Sequence, residues 1–451
     1  MAESTTKCRT LVLCFDGTSN EYDADNTNLP LFFSLLKKDD FNEQLCYYQP
    51  GIGTWFNPGV VSPVFQWGAK ILDYAFAWYL NEHVMDGYKF IMQNWRIGDK
   101  ICLFGFSRGA YTARALGGML YKVGLLPRDN EQQIPFAYKM YKKEDKAGIA
   151  LCKGFKETYC QDVKIEYMGV WDTVASVGLV MGRTLPFVSS NTSIKTFRHA
   201  LSLDERRARF MPNLYHRTPA AGEVVKIAAI YEDEQEPAIE IKASSDSDSS
   251  DSGIASGSSD GPPERTRNRK KRFLPFRFRS AGKVRASKAE EGTPDDVLEV
   301  WFAGCHSDIG GGAEPNGTPN SLAYITLRWM VREIVKSGCG IQFDEDALQR
   351  AKIDPASSES PLADGEDAVQ PLHDELKSNP LWWILEIFPM KFTWQDANGV
   401  WQSSFGWHLG RGRRITDKTV VFHSSVKSRM ESSLGYIPRA QWESGSEIYV
   451  S

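Results

Sequence analysis

Short apolar runs, each closed by small or polar residues, recur along this chain. TLVLCF at 10–15 is the first, and it stops at Asp16-Gly17-Thr18-Ser19-Asn20. Similar runs occupy 45–49, 163–171 (VKIEYMGVW), 224–231 (VVKIAAIY) and 297–303 (VLEVWFA), and strand-like pieces return in the tail at 416–449. A run that is apolar at successive positions, not alternate ones, fits a strand buried on both faces. Over 68–96 and 131–144 the apolar residues instead take helical spacing. Strands alternating with helices predict an α/β fold, a mainly parallel central sheet flanked by helices.

Three segments depart from that rhythm. Residues 232–296 hold an acidic tract, ASSDSDSSDSGIASGSSDG, and then a basic one, RTRNRKKRFLPFRFRS. Few apolar residues and blocks of like charge predict disorder. Predicted strands on either side make this an insertion within one domain spanning 8–440. Such an insertion costs little, because closure entropy grows only logarithmically with length. Its acidic serines are candidate phosphorylation sites. Its basic stretch at 265–285 is a candidate nuclear-import signal or anionic-lipid contact, and a solvated linker is the bland alternative. Residues 354–371 read as a second loop. LWWILEIFPMKFTW at 381–394 has two readings: a cap that covers substrate or docks on a membrane, or a helix packed on the sheet.

Bulk properties narrow the function classes. A net charge of −4 gives no general attraction to nucleic acid or to anionic membrane. The amino terminus lacks a basic start and a long apolar core, and no uncharged apolar run reaches about 18 residues, so neither a secretory leader nor a membrane span is expected. The eight cysteines show no C-x-x-C pair and no zinc-like grouping with histidine. They read as thiols of an intracellular, cytoplasmic protein that needs no metal or cofactor.

The densest chemistry is at 100–120, KICLFGFSRGAYTARALGGML. The apolar run 101–104 enters Gly105-Phe106-Ser107-Arg108-Gly109, and a helix-compatible stretch follows at once. That is the setting of a G-x-S-x-G nucleophile elbow, which exposes a serine hydroxyl at a sharp strand-to-helix turn. A serine needs a base, and the base needs an orienting acid. Four of the seven histidines follow at a suitable distance: His306, His373, His408 and His423. His306 ends the run 297–303 in a glycine-rich loop and is the favoured base. Asp172 ends the run 163–171 and is the favoured acid, with Asp308 its rival. One oxyanion-hole amide is that of Arg108, and the second comes from Gly17 or Thr18 in the loop after the first strand. Asp16 and Asp308 are candidate supporting residues.

FDGTSN at 15–20, GFSRGAYTAR at 105–114, VWDTVASVG at 170–178 and WFAGCHSDIGGG at 301–312 come in that order. Together they resemble the α/β-hydrolase family that contains the catalytic domain of type VI secretion phospholipase effectors, and look most like its uncharacterised fungal members. The resemblance implies a serine esterase with Ser107, Asp172 and His306 as its triad, and a lipid or phospholipid acyl ester as substrate. It also extends to HALSLDERRARFMP at 199–212, whose Asp204, Glu205, Arg206 and Arg207 read as a structural charge cluster. Two rival classes are weighed. One is a non-catalytic hydrolase-fold scaffold that recruits partners through its insertion. The other is a metal-dependent phosphatase, suggested by Phe15-Asp16-Gly17-Thr18 but lacking the nucleophilic aspartate, since Cys14 stands there. Substrate, peripheral membrane contact and oligomeric state are left open.

Overall fold

The computed structural model describes residues 8–17, 22–51, 65–174, 185–186, 188, 191–215, 296–355 and 361–451. Thr18, the strand expected at 224–231 and the insertion expected at 232–296, save its last residue, lie outside them. The chain divides into two units, Met1–Pro219 with Ser287–Ser451, and Ala220–Ala286, and the second falls wholly outside the described residues.

The described strands are β1 (Thr10–Phe15), β2 (Gln44–Gln49), β3 (Lys100–Phe106), β4 (Ile165–Trp171), β5 (Ile194–Ser202), β6 (Asp296–Phe302), β7 (Met390–Gln395), β8 (Trp401–Gly406), β9 (Val420–His423) and β10 (Glu447–Val450). The helices are α1 (Asn28–Leu35), α2 (Phe65–Asn94), α3 (Ser107–Val123), α4 (Ile134–Tyr141), α5 (Lys146–Tyr159), α6 (His306–Gly310), α7 (Leu322–Ser337), α8 (Glu345–Arg350), α9 (Pro361–Ala368), α10 (Glu375–Ser378), α11 (Trp382–Glu386) and α12 (Ser424–Glu431). Eight strands form one sheet in the order β10-β9-β6-β5-β4-β3-β1-β2, with every neighbouring pair parallel. This is an α/β-hydrolase-like sheet with helices on both faces. β7 and β8 make a separate antiparallel hairpin.

Period-two alternation sends successive side chains of β1 to opposite faces. Leu11, Leu13 and Phe15 join Leu116 and Met119 of α3 and Tyr138 of α4 in one buried cluster. Val12 and Cys14 join Phe32 of α1 and Met330 and Ile334 of α7 in another. Both faces are therefore core, which is why the strand sequences read as unbroken apolar runs. All eight cysteines are free thiols; Cys8 is exposed and Cys46 and Cys160 are partly so.

Residues 354–371 are not simply a loop, because α9 occupies part of them. Its segment, PLADGEDA, has no apolar stripe to announce a helix. Asp364 and Asp367 instead hold it through Arg328 of α7, at 2.5 and 2.6 Å. Residues 381–394 are a short helix and a strand, not one helix.

β3 hands over to α3 with almost no space between them. A Cβ on Gly105 would lie 2.6 Å from backbone atoms of Gly109 and Ala110, and one on Gly109 would lie 2.1 Å from the carbonyl oxygen of Phe15. Backbone cannot retreat as a flexible side chain can. Gly109→Ala is therefore expected to destabilise the fold by about 3 kcal/mol, the upper part of the overpacking range. A lower denaturation midpoint at unchanged slope would show it; an unchanged midpoint would mean the approach is looser than described.

Candidate active site

β3, β4 and β6 all end on the same edge of the sheet, separated only by β5. In parallel α/β sheets this carboxyl edge is where ligands bind. Ser107 follows β3, Asp172 follows β4, and His306 opens α6 a few residues beyond β6. Backbone strain marks two of the three. Ser107 has φ 57° and Asp172 has φ 37°, a region that non-glycine residues seldom adopt and that concentrates at functional sites.

The three side chains form one hydrogen-bonded line. The Ser107 hydroxyl donates to His306 Nε2 across 2.8 Å, and His306 Nδ1–H donates to Asp172 Oδ2 across 2.6 Å. All three residues are buried. Burial lowers the His306 pKa, and the bond to Asp172 only partly offsets it. Burial alone would raise the Asp172 pKa, but the Arg413 charge and the hydrogen bonds from His306 and Arg413 outweigh it and hold the carboxyl well below the usual carboxylate range.

Arg413 is the residue that the sequence did not disclose. Its Nη1 donates to Asp172 Oδ1 at 2.5 Å and its Nη2 to Asp172 Oδ2 at 2.9 Å, a bidentate pair. The same guanidinium donates to the carbonyl oxygens of Ser202 and Phe210, at 3.0 and 2.6 Å. The Ser202 amide adds a bond to Asp172 Oδ1 at 3.0 Å. Arg413 sits in GRGRR, 241 residues from Asp172, and no local pattern sets it apart from Arg411 or Arg414.

The 199–212 cluster also reaches the site. Glu205 accepts the His306 backbone amide at 3.2 Å and is paired in bidentate fashion with Arg207, at 2.9 and 2.8 Å. Burial pushes the Glu205 pKa up, yet Arg207 holds it down at about 2. Arg207 in turn lies 3.6 Å over the Phe210 ring and 4.8 Å over Trp382. Phe210 stands edge-on to the His306 imidazole, with ring centres 4.8 Å apart, and Phe106 packs beside it at 4.7 Å.

The other nominated residues go elsewhere. Asp308 does not orient His306: its Oδ2 accepts the Cys305 amide at 2.7 Å and its Oδ1 accepts from His373 Nδ1 at 2.7 Å. His408 is bonded to Glu386 and His423 to Ser425. Asp16 ties its loop together, accepting from the hydroxyls of Thr27 and Tyr48, at 2.8 and 2.7 Å. It also accepts the Gly17 amide at 2.6 Å. Arg108 lies in the first turn of α3, beside Ser107. Among the described residues no group of three or more His, Cys, Asp or Glu side chains is placed to hold a metal ion.

Residues 9–333 match a family model described as T6SS, Phospholipase effector Tle1-like, catalytic domain. The chain belongs to this Tle1-like family. An uncharacterized Saccharomyces cerevisiae protein, YEL023C, is 28% identical, in an alignment that covers 95% of this chain and 80% of that one. Among solved structures, an uncharacterized protein from Pseudomonas aeruginosa is similar at 18% identity and TM-score 0.38, over 83% of this chain. The chain spans about half of that protein, 52% of its length. The Tle1 effector, solved bound to the VgrG spike of the type 6 secretion system, is similar at 14% identity and TM-score 0.37, over 89% of this chain and 91% of that one. Membership of the Tle1-like family supports a lipid-hydrolase function. Arg413 lies beyond the stretch that the Tle1-like model matches.

Proposed function

We propose that this protein is a serine hydrolase that cleaves carboxylic esters of lipids or phospholipids through an acyl-enzyme. The observation that carries the reading is the line from Ser107 Oγ through His306 to Asp172, at 2.8 and 2.6 Å, beginning at a strained serine. His306 Nε2 takes the Ser107 proton as Oγ bonds to the ester carbonyl carbon. The Arg108 amide and one from the 17–18 loop hold the oxyanion. His306 returns its proton to the departing alkoxide. Water then attacks the acyl carbon, gives its proton to His306, and Ser107 leaves reprotonated.

A fluorophosphonate probe tests this reading on the full chain. Wild-type protein is expected to be labelled and Ser107→Ala not. Labelling requires neutral His306, so it should fall as pH drops through that residue's pKa. Burial lowers this pKa, so the acid limb should lie below the ordinary histidine value of about 6.5. Equal labelling of both proteins would remove Ser107 from the nucleophile's role.

A further inference from the structure

α11 presents two different faces. Glu386 is buried and fastens the helix downward, accepting the Ala208 amide at 2.6 Å, the His408 Nδ1–H at 2.7 Å and the Gly410 amide at 2.9 Å. Trp382 packs against Phe210, which itself stands edge-on to the His306 ring. The outward side is apolar. Trp383, Ile387, Phe388, Phe405, Trp407 and Leu409 are each between 39% and 74% exposed. Trp383, Ile387 and Leu409 are drawn together where the Leu409 amide donates to the Glu386 carbonyl oxygen at 3.4 Å and Gly410 lies against the Trp383 ring. Apolar side chains grouped on a surface in this way mark an interaction site, in contrast to a scatter of single ones.

The surrounding charge narrows the partner. Between residues 376 and 414 the exposed ionic side chains are Lys377, Lys391, Arg411 and Arg414. The two acids in that stretch are both engaged, Glu386 beneath the helix and Asp396 in the β7–β8 turn, where it accepts the Asn398 and Val400 amides. Lys391 lies opposite Phe405 in the hairpin, Lys377 follows Leu376, whose carbonyl oxygen accepts from the Trp383 indole at 2.9 Å, and Arg411 follows Gly410. Apolar side chains with cations beside them fit the boundary between acyl chains and anionic headgroups.

We propose that the outer face of α11 with the 405–409 turn docks this protein on an anionic phospholipid bilayer. The proposal rests on the lipid-ester reading, since a lipid substrate resides in such a surface, and Trp382 links the patch to the His306 side of the site through Phe210.

Binding is measured separately from turnover by using Ser107→Ala full-length protein in vesicle sedimentation. The vesicles are phosphatidylcholine alone and phosphatidylcholine with phosphatidylserine in equal parts. The protein should bind the mixed vesicles more tightly, and added salt should weaken that binding. Ile387→Ser, Phe388→Ser and Trp407→Ser combined should weaken it by roughly tenfold per side chain removed from the acyl region. In the Ser107 background the same triple change should leave hydrolysis of a water-soluble short-chain ester unaltered. These positions are exposed, so unfolding should also be unaltered. Undiminished vesicle binding by the triple variant, no vesicle binding by the parent, or light scattering showing that the patch instead holds two copies together would each overturn the proposal. Failure of the ester reading would appear as absent turnover with vesicle binding intact, a distinct result.

Discussion

Alanine at Ser107 and alanine at His306 are each expected to lower ester turnover by about a million-fold, and the double variant is expected to be no slower than either. In the mechanism we propose, hydroxyl and imidazole form one proton-transfer unit. Without the ring, the serine oxygen is a neutral alcohol with no acceptor for its proton; without the hydroxyl, the ring has nothing to activate. What persists, about 10³–10⁴ over water, comes from the oxyanion amides and from binding, which neither change removes. Both residues are buried, and neither holds the sheet together. Single-turnover rates on a soluble ester, with unfolding midpoints as a control, measure the effect. A His306→Ala loss smaller than about tenfold would assign the base elsewhere. Multiplying losses in the double variant would mean that the two act separately.

What was legible in the sequence follows from what a strand's surroundings demand. β1, β3 and β4 are covered on both faces, as β6 is over its last three residues, and so had to be apolar there. Ser107, Asp172 and His306 each stand at or just past the end of such a run, which made their convergence on one edge readable. β5 was not readable. IKTFRHALS carries Lys195, Arg198 and His199, and it sits near the middle of the sheet because its charges find partners far away in the chain. Arg198 meets Glu333 at 2.7 Å and Asp296 at 2.6 Å. His199 accepts the Thr173 amide on Nε2 at 3.0 Å and donates from Nδ1 to Glu299 at 2.8 Å. Polar burial paid for by distant partners leaves no local period. Residues 381–394 show the converse. Their composition suits a core, yet Leu381, Trp383, Ile384, Ile387 and Phe388 are exposed, because composition does not say what lies on the other side. Arg413 was hidden for the first of these reasons: its meaning exists only in the fold.

Methionine at Arg413 is expected to destabilise the protein by about 3–5 kcal/mol, because it strips a buried carboxylate of its bidentate partner. It should also move the acid limb of kcat/KM to higher pH. Asp172 Oδ2 accepts from both His306 Nδ1, at 2.6 Å, and Arg413 Nη2, at 2.9 Å. In the mechanism we propose, the imidazolium formed when His306 takes the serine proton faces an oxygen already shared with a fixed cation. Arg413 thus keeps Asp172 ionised but opposes the protonated ring, so its removal raises the His306 pKa. The base works only when neutral, and a raised pKa confines activity to higher pH. Lysine at the same position separates charge from geometry: it retains the cation but not the planar fork. Arg413→Lys should keep the acid limb near wild type while losing rate and some stability, and it carries the test if the methionine variant does not fold. A lysine variant whose acid limb rises while its rate stays at the wild-type level would sink the account, as would a folded methionine variant with an unmoved pH profile. Either result would leave Arg413 only to brace the carbonyls of Ser202 and Phe210.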